Sequence, residues 1–200
     1  MRRFATLFEQ LDSTTSTLAK VAAMASYFRA APPADAAWAT FFLSGRRFKR
    51  LIAPSLLRSW TVEATGLPPW LFEDSYAAAG DLAETVALLL GQDEVEREPD
   101  CQRSAASEPE TQAGASSTDL PLHTWVEERV LPLRDTDDDT QRERVIGWWS
   151  SRPARETFLL AKLLTGALRV GVSQTLTVRA LAEVSGLETA TLTHRLMGDW

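Results

Sequence analysis

The sequence predicts an all-α protein, a multi-helix domain with an internal pseudo-two-fold repeat. Apolar residues recur at three- and four-residue spacing along most of the 200-residue chain, whereas the alternation typical of β-strands is nearly absent. Glycine or proline stands at the ends of these segments, where helices stop. Similar segments also follow one another in the same order on either side of a polar stretch, which indicates a repeat.

The first half, residues 1–91, is predicted to contain five helices. The first begins among the capping residues 13–16 and stops at Pro32-Pro33. The opening MRRFATLFEQLD lacks the apolar run of a signal peptide, and we assign no helix to it. The five helical segments are STTSTLAKVAAMASYFRAA, ADAAWATFFLSG, APSLLRSWTVEATG, PPWLFEDSYAAAG and DLAETVALLL.

Residues 92–120 are predicted to be a disordered acidic linker. They hold eight acidic and two basic residues, which accounts for the whole net charge of −6. The remainder is electrically balanced, so a nucleic-acid partner is not excluded. The single cysteine, Cys101, cannot form an internal disulfide, and no segment has the length and composition of a membrane span. We therefore expect a cytoplasmic protein.

The second half, residues 121–200, is predicted to contain five helices that mirror the first half. A shift of 121 residues places Pro32 on Pro153 and Gly45 on Gly166, and each half ends in Gly-Asp. The five segments are LPLHTWVEERVLPL, TQRERVIGWWSSR, PARETFLLAKLLTG, SQTLTVRALAEVSG and LETATLTHRLMG. Together the two halves are expected to form one domain.

Two connections between helices, which we call joints, take the same place in the two halves. The first joint is LSGRRFKRLIAPS (residues 43–55) and the second joint is LTGALRVGVSQ (residues 164–174). Glycine lets a backbone approach a ligand closely, and a helix start presents unpaired N–H groups with a positive dipole end. Two such joints on one face would suit duplex nucleic acid, whose antiparallel phosphate strands are themselves related by approximate two-fold symmetry.

The same reasoning extends to the Gly-Asp pairs, each of which precedes a helix start. For Gly66 and Gly186 a simple helix cap is favoured, whereas for Gly166 and Gly171 a cap and a binding role both remain open. The predicted contacts are Ser44, Gly45, Arg46, Arg47, Lys49, Arg50, Gly80, Asp81, Thr165, Gly166, Leu168, Arg169, Gly171, Ser173, Gln174 and Gly198.

Other kinds of site find little support in the sequence. The second joint has the Gly-x-x-x-x-Gly spacing of a phosphate-binding P-loop, but Val172 replaces the required lysine and no strand precedes it. His123 and His194 have no evident metal-ligand partners. The tryptophans are predicted to belong to the core, and Asp137 to Asp139 are predicted to begin a helix. We expect no catalytic residue and no metal site.

The second joint and its flanks resemble the N-terminal DNA-binding domain of ATP-dependent DNA ligases. The resemblance lies in KLLTGALRVGVSQTLTVRALAEVSG, which contains a Gly-x-Leu-Arg-x-Gly joint at Gly166, Leu168, Arg169 and Gly171, and in AAAGDLAETVALLL. The segment STTSTLAKVAAMASYFRAAPPADAAWATFFLSGRRFKRL is similar to the bacterial branch of the family. The first joint departs from the Leu-Arg-x-Gly pattern.

The resemblance implies a helical domain that grips the minor groove of nicked duplex DNA through backbone phosphates, and a role in DNA repair, recombination and replication. It implies a monomer with a helicase-related protein as a partner. Such ligases use ATP and Mg²⁺ and adenylate the lysine of Lys-x-Asp-Gly. None of Lys20, Lys49 and Lys162 begins that motif, so we expect this chain to lack the nucleotidyltransferase and to be inactive alone.

Two alternatives belong to other functional classes. TVRALAEVSGLETATLTHRL also resembles a helix-turn-helix of a transcription regulator, with Gly186 at the turn. Its recognition helix would offer Thr189, Thr191, Thr193, His194 and Arg195 to bases, with Glu188 at its start. The other alternative is a helical scaffold that docks proteins and binds no nucleic acid.

Overall fold

The computed structural model describes residues 1–91 and 120–198, and in these ranges the fold is all-α, as predicted. No β-strand occurs in either range. The predicted linker, apart from Leu120, and Asp199 lie outside the described residues. The helices are α1 Arg2–Asp12, α2 Thr17–Ala30, α3 Pro33–Leu43, α4 Pro54–Thr65, α5 Pro69–Ala79, α6 Leu82–Leu90, α7 Leu122–Thr124, α8 Asp138–Trp149, α9 Ala154–Thr165, α10 Gln174–Ser185 and α11 Thr189–Met197.

The helix ends follow from capping chemistry. Ser16 accepts a hydrogen bond from the Ala19 N–H at 3.3 Å, and Asp137 accepts one from the Thr140 N–H at 2.8 Å. Proline occupies the first turn of α3, α4 and α5, where its missing N–H costs nothing. The predictions of helix punctuation, and of a helix start at Asp137 to Asp139, are therefore confirmed.

Helix α1 was not predicted from the sequence. Phe4, Leu7, Phe8 and Leu11 are each at most 2% exposed and recur at three- and four-residue spacing along one face of the helix. This face packs against α2 and α9. The segment is thus an amphipathic core helix, although it carries two arginines at its start.

The stretch predicted as one helix after the linker changes its winding twice. Helix α7 runs into a π-helical turn, Trp125–Val130, and then into a 3₁₀ turn, Leu131–Asp135. Pro132 cannot donate to the carbonyl four residues earlier, and this breaks the regular α pattern. Trp125 and Val126 are nevertheless fully buried, so the stretch contributes to the core.

The two halves share one core. Helix α2 packs against α10, α6 against α9, and α4 against α8, so each half covers apolar faces of the other. The buried side chains form one contiguous cluster that draws on helices before and after the linker. Among the described tryptophans, Trp60, Trp125 and Trp149 are buried as predicted, but Trp70 is 64% exposed, so the prediction is wrong for Trp70.

Some local features recur at the predicted spacing of 121 residues. The Gly45 N–H donates to Phe42 O and the Arg46 N–H to Phe41 O, at 3.1 and 3.2 Å. The Gly166 N–H donates to Leu163 O and the Ala167 N–H to Lys162 O, at 3.2 and 3.0 Å. The Gly-Asp pairs match less well, because φ is +74° at Gly80 and −74° at Gly198. The internal repeat of whole halves stays a prediction.

A buried carboxylate occupies the first turn of both α3 and α9. Asp35 accepts a hydrogen bond from the His123 N–H at 3.0 Å and lies 2.7 Å from its Nδ1. Burial by itself raises the pKa of the Asp35 carboxyl, but the hydrogen bonds from His123 outweigh it and hold that pKa below its usual value. Glu156, 121 residues later, is 1% exposed and forms an ion pair with Arg152 at 2.6 Å.

Candidate functional site

The two joints lie directly against each other. The N–H groups of Leu51 and Ile52, in the first joint, both donate to Leu164 O, in the second joint, at 3.1 and 3.2 Å. Gly166 has φ +66°, and a Cβ there would lie only 3.1 Å from Phe48 O. Glycine is therefore required at the point where the joints cross. The two joints are therefore in direct contact.

The second joint alternates between buried and exposed residues. Leu168 and Val170 are each 8% exposed and belong to the core, whereas Arg169 and Gly171 face solvent. The side chain of Leu168 thus serves to anchor the joint, and only its backbone is available to a ligand. Gly171 has φ +59°, a conformation that favours glycine. The result is a short non-helical segment that exposes the Arg169 side chain and, at Gly171, backbone that no side chain covers.

Each joint contains a run of consecutive backbone N–H groups that have no partner in the described part of the chain. None from Leu168 to Thr175 donates a hydrogen bond to another described residue, and neither does any from Arg47 to Arg50. The run in the second joint, from Leu168 to Thr175, continues into the first turn of α10, where the helix dipole is positive. Such runs of unpaired donors suit an anion with several oxygen acceptors.

All charged side chains in the two joints are basic. The joints contain Arg46, Arg47, Lys49, Arg50 and Arg169, and no acidic residue. All except the half-buried Arg46 are exposed. Arg47 and Arg169 line a shared hollow of about 380 Å³, together with Gly45 and Gly171. One arginine from each half therefore borders the same concave surface.

Arg46 has a different environment from the other basic residues of the joints. Its Nη2 donates to Leu196 O at 3.1 Å and to Gly198 O at 2.8 Å. It thus holds the end of α11 against the first joint. This contact brings the predicted residue Gly198 to the joints, through its carbonyl oxygen.

The predicted polar residues at the helix ends mostly complete caps. Ser44 Oγ donates to Phe41 O at 2.9 Å, and Thr165 Oγ1 donates to Ala161 O at 2.8 Å. Ser173 is the N-cap of α10 and accepts from the Leu176 N–H at 3.4 Å. Gln174 begins α10 with an exposed side chain. Of these four side chains, Gln174 is the most available to a ligand.

Gly80 and Asp81 lie where α5 meets α6. Asp81 caps α6 by accepting from the Glu84 N–H at 3.0 Å, and its carboxylate pairs with Lys162 of α9. Burial alone raises the pKa of Asp81, but the hydrogen bonds from Lys162 and Glu84 hold it below its usual value. Asp81 thus connects α6 to the helix that leads into the second joint. No described contact joins Gly80 to either joint.

Lys20 is a site residue that sequence reasoning missed. It lies on α2 and is 8% exposed, and its Nζ donates to Val170 O at 3.2 Å and to Gly171 O at 3.0 Å. The signal in the sequence is a lone lysine on a helix of small and apolar residues, TLAKVAAMA. Nothing in that pattern reveals which loop the ammonium group supports.

Other chemistry is not indicated by the described residues. They contain no group of three or more His, Cys, Asp or Glu side chains arranged to hold a metal ion. His194 is exposed on α11, and His123 is bonded to Asp35. Within the described ranges no helix combines the length and the apolar character needed to cross a bilayer.

The sequence of the chain is similar to those of known proteins. The family described as DNA ligase N terminus matches residues 1–182 of this chain. The chain is also similar to a protein of Opitutus terrae (strain DSM 11246 / JCM 15787 / PB90-1) described as a probable DNA ligase. The two are 26% identical over 223 aligned positions, which cover 98% of this chain and 21% of that protein. The chain thus spans about a fifth of the length of this relative.

Proposed function

Because the chain belongs to the family of DNA ligase N-terminal domains, we propose that it binds nicked duplex DNA and holds it for sealing by other parts of a ligase. The observation that carries this proposal is the contact between the two joints. It places exposed cations and unpaired N–H donors from both halves on one surface. DNA phosphates match that surface in charge and in hydrogen-bonding capacity.

The proposed grip uses phosphates and not base edges. Arg47, Lys49, Arg50 and Arg169 neutralise phosphate charge, and the bare backbone of the second joint comes close enough to donate hydrogen bonds. Such contacts fix the position of a duplex without reading its sequence. A protein that must act at any nick requires this independence from sequence.

A titration with three DNA ligands tests the proposal. Nicked duplex, intact duplex and single-stranded DNA, each prepared in two unrelated base sequences, are compared at several salt concentrations by fluorescence anisotropy. We expect the tightest binding to nicked duplex, with an affinity that falls steeply as salt rises. A strong preference for one base sequence would instead support the helix-turn-helix alternative through α11. Absence of binding to all three ligands would leave a protein-docking scaffold.

Arg169→Ala is expected to weaken binding to nicked duplex by a similar factor for every DNA sequence. Loss of one phosphate contact should lower the slope of log K against log salt by about one unit. Arg179→Ala is the matched control, because Arg179 is also exposed but lies on α10, outside both joints. Equal slopes for Arg169→Ala and the parent chain would remove Arg169 from the interface.

The corresponding change in the first joint, Arg47→Ala, is expected to have a smaller effect. The neighbouring Lys49 and Arg50 are also exposed and can take over part of its charge. The same salt titration measures this difference. A larger loss for Arg47→Ala than for Arg169→Ala would mean that the first joint dominates the grip.

We propose that ATP and Mg²⁺ serve the whole ligase and that the adenylated lysine lies outside these 200 residues. Since no lysine here begins Lys-x-Asp-Gly, the chain should form no covalent AMP adduct. Incubation with labelled ATP and Mg²⁺, followed by denaturing electrophoresis, measures this. A labelled band at 22.1 kDa would show that the chain itself carries an adenylation site.

We further propose that the chain is a monomer and that a helicase-related protein is its partner.

A further inference from the structure

Lys20 is a buried cation that has no carboxylate partner among the described residues. Its side chain comes from α2, the helix that packs against α10, and it is 8% exposed. Among the described residues no Asp or Glu oxygen lies within 4 Å of its Nζ. The half-buried Arg152 and Lys162 differ in this respect, because each forms an ion pair with an acid. Buried charges are normally paired, since desolvation of an isolated ion is costly.

The two partners of Lys20 are carbonyl oxygens of consecutive peptide groups. The C=O of Val170 belongs to the same peptide unit as the Gly171 N–H, and the C=O of Gly171 to the same unit as the Val172 N–H. In a trans peptide the C=O and N–H point in opposite directions, and the described chain contains no cis bond. Because Nζ draws both carbonyls inward, the N–H groups of Gly171 and Val172 point away from Lys20. Neither donates to a described residue.

The ammonium group also lies directly below the exposed backbone. A Cβ placed on Gly171 would be 3.2 Å from Nζ, so no side chain separates the charge from whatever approaches that glycine. Gly171 itself is exposed. An anion that accepts hydrogen bonds from the two outward N–H groups therefore comes under the direct influence of the Lys20 charge.

We propose that Lys20 is a positioning residue for a DNA phosphate: it aims the N–H groups of Gly171 and Val172 at the phosphate, and the phosphate supplies a negative charge that no described acidic side chain provides. This inference rests on the proposed function and deepens it. In this proposal Lys20 both orients the backbone of the second joint and contributes to its attraction for DNA.

The test replaces Lys20 by methionine, which has a similar length and no charge. We expect Lys20→Met to bind nicked duplex DNA about tenfold more weakly than the parent, with a salt slope lower by about one unit. Lys20→Arg keeps the charge and should retain most of the slope. Lys162→Met is the matched control, because it also removes a lysine, one that is already paired with Asp81. Its unfolding temperature should fall while its salt slope stays that of the parent.

The outcomes separate this inference from the proposed function. If the parent binds nicked duplex and Lys20→Met binds with the same affinity and slope, Lys20 is only a structural tether. If the parent itself binds no DNA, the proposed function fails, and the role of Lys20 fails with it. A measurement on the unmodified chain covers the case in which Lys20→Met does not fold. The amide resonances of Gly171 and Val172 should shift downfield when nicked DNA is added, and unchanged shifts would overturn the inference.

Discussion

Replacing Gly171 by glutamate is expected to lower the affinity for nicked duplex DNA about a hundredfold, which corresponds to about 2.7 kcal/mol. Two effects combine at this position. The new carboxylate lies beside the exposed backbone that a phosphate would contact, and it repels the phosphate. It also lies within reach of the Lys20 ammonium, because a Cβ here is 3.2 Å from Nζ, and an ion pair between them would cancel the charge that attracts DNA. Fluorescence anisotropy with nicked duplex measures the loss.

Gly186→Glu is the matched control for this substitution. Gly186 is an exposed glycine with φ +70° and no atom within 4 Å of its Cβ position, so the charge change and the backbone strain are similar. It stands at the far end of α10, a 12-residue helix about 18 Å long, away from the second joint. Both variants should lose about 1–2 kcal/mol of stability from the left-handed backbone conformation. If Gly186→Glu impaired binding as much as Gly171→Glu, the turn before α11 would be the DNA-binding element.

Replacing Glu156 by alanine should cause a large loss of stability, about 3–5 kcal/mol. Glu156 is 1% exposed and accepts hydrogen bonds from Arg152 at 2.6 Å and from Arg2 at 3.4 Å. Arg152 has a side chain only 9% exposed and lies over the ring of the buried Trp125, at 4.3 Å. Without Glu156 its guanidinium would remain buried and uncompensated. Urea unfolding followed by tryptophan fluorescence measures the change.

An exposed ion pair of similar geometry provides the comparison. Glu183 accepts from Arg29 at 2.8 Å, but both side chains are about half exposed, at 50% and 54%. Glu183→Ala should therefore cost at most about 1 kcal/mol. A loss of similar size for the two variants would mean that burial of Glu156 does not determine its contribution. Glu156 lies at the start of α9, eight residues before the second joint begins and about 12 Å from it along the helix, so folded Glu156→Ala should still bind DNA like the parent.

The sequence was sufficient to predict most helices because their ends carry strong local signals. Proline in a first turn and glycine after a last turn act within a few residues, as at Pro54 and Gly66. Helix α1 was not predicted although its apolar spacing is regular, because Arg2, Arg3 and Glu9 interrupt any continuous apolar run in this segment. Trp70 is the opposite case, because it was predicted to be buried and is exposed. Its size favours burial, but its position at the start of α5 leaves it on the surface.

The candidate site was predictable only in part. The joints could be found because glycine and arginine stand in a recognisable order along the chain. Their contact could not be found, because the bonds from Leu51 and Ile52 to Leu164 connect residues more than 110 positions apart. The role of Lys20 likewise depends on a loop 150 residues away. Long-range pairing of this kind follows from the packing of whole helices, and local sequence carries no signal for it.

The packing of α2 against α10 and of α6 against α9 has a consequence for biosynthesis. The apolar face of α6 meets its partner only after residue 165 has left the ribosome, and that of α2 only after residue 185. At about 5–20 residues per second, the emerging first half waits about 5–20 seconds for α8, α9 and α10. During that interval its exposed apolar surface is a target for chaperones and for aggregation. Completion of this fold is therefore a late, cooperative event that requires the translation of α9 and α10.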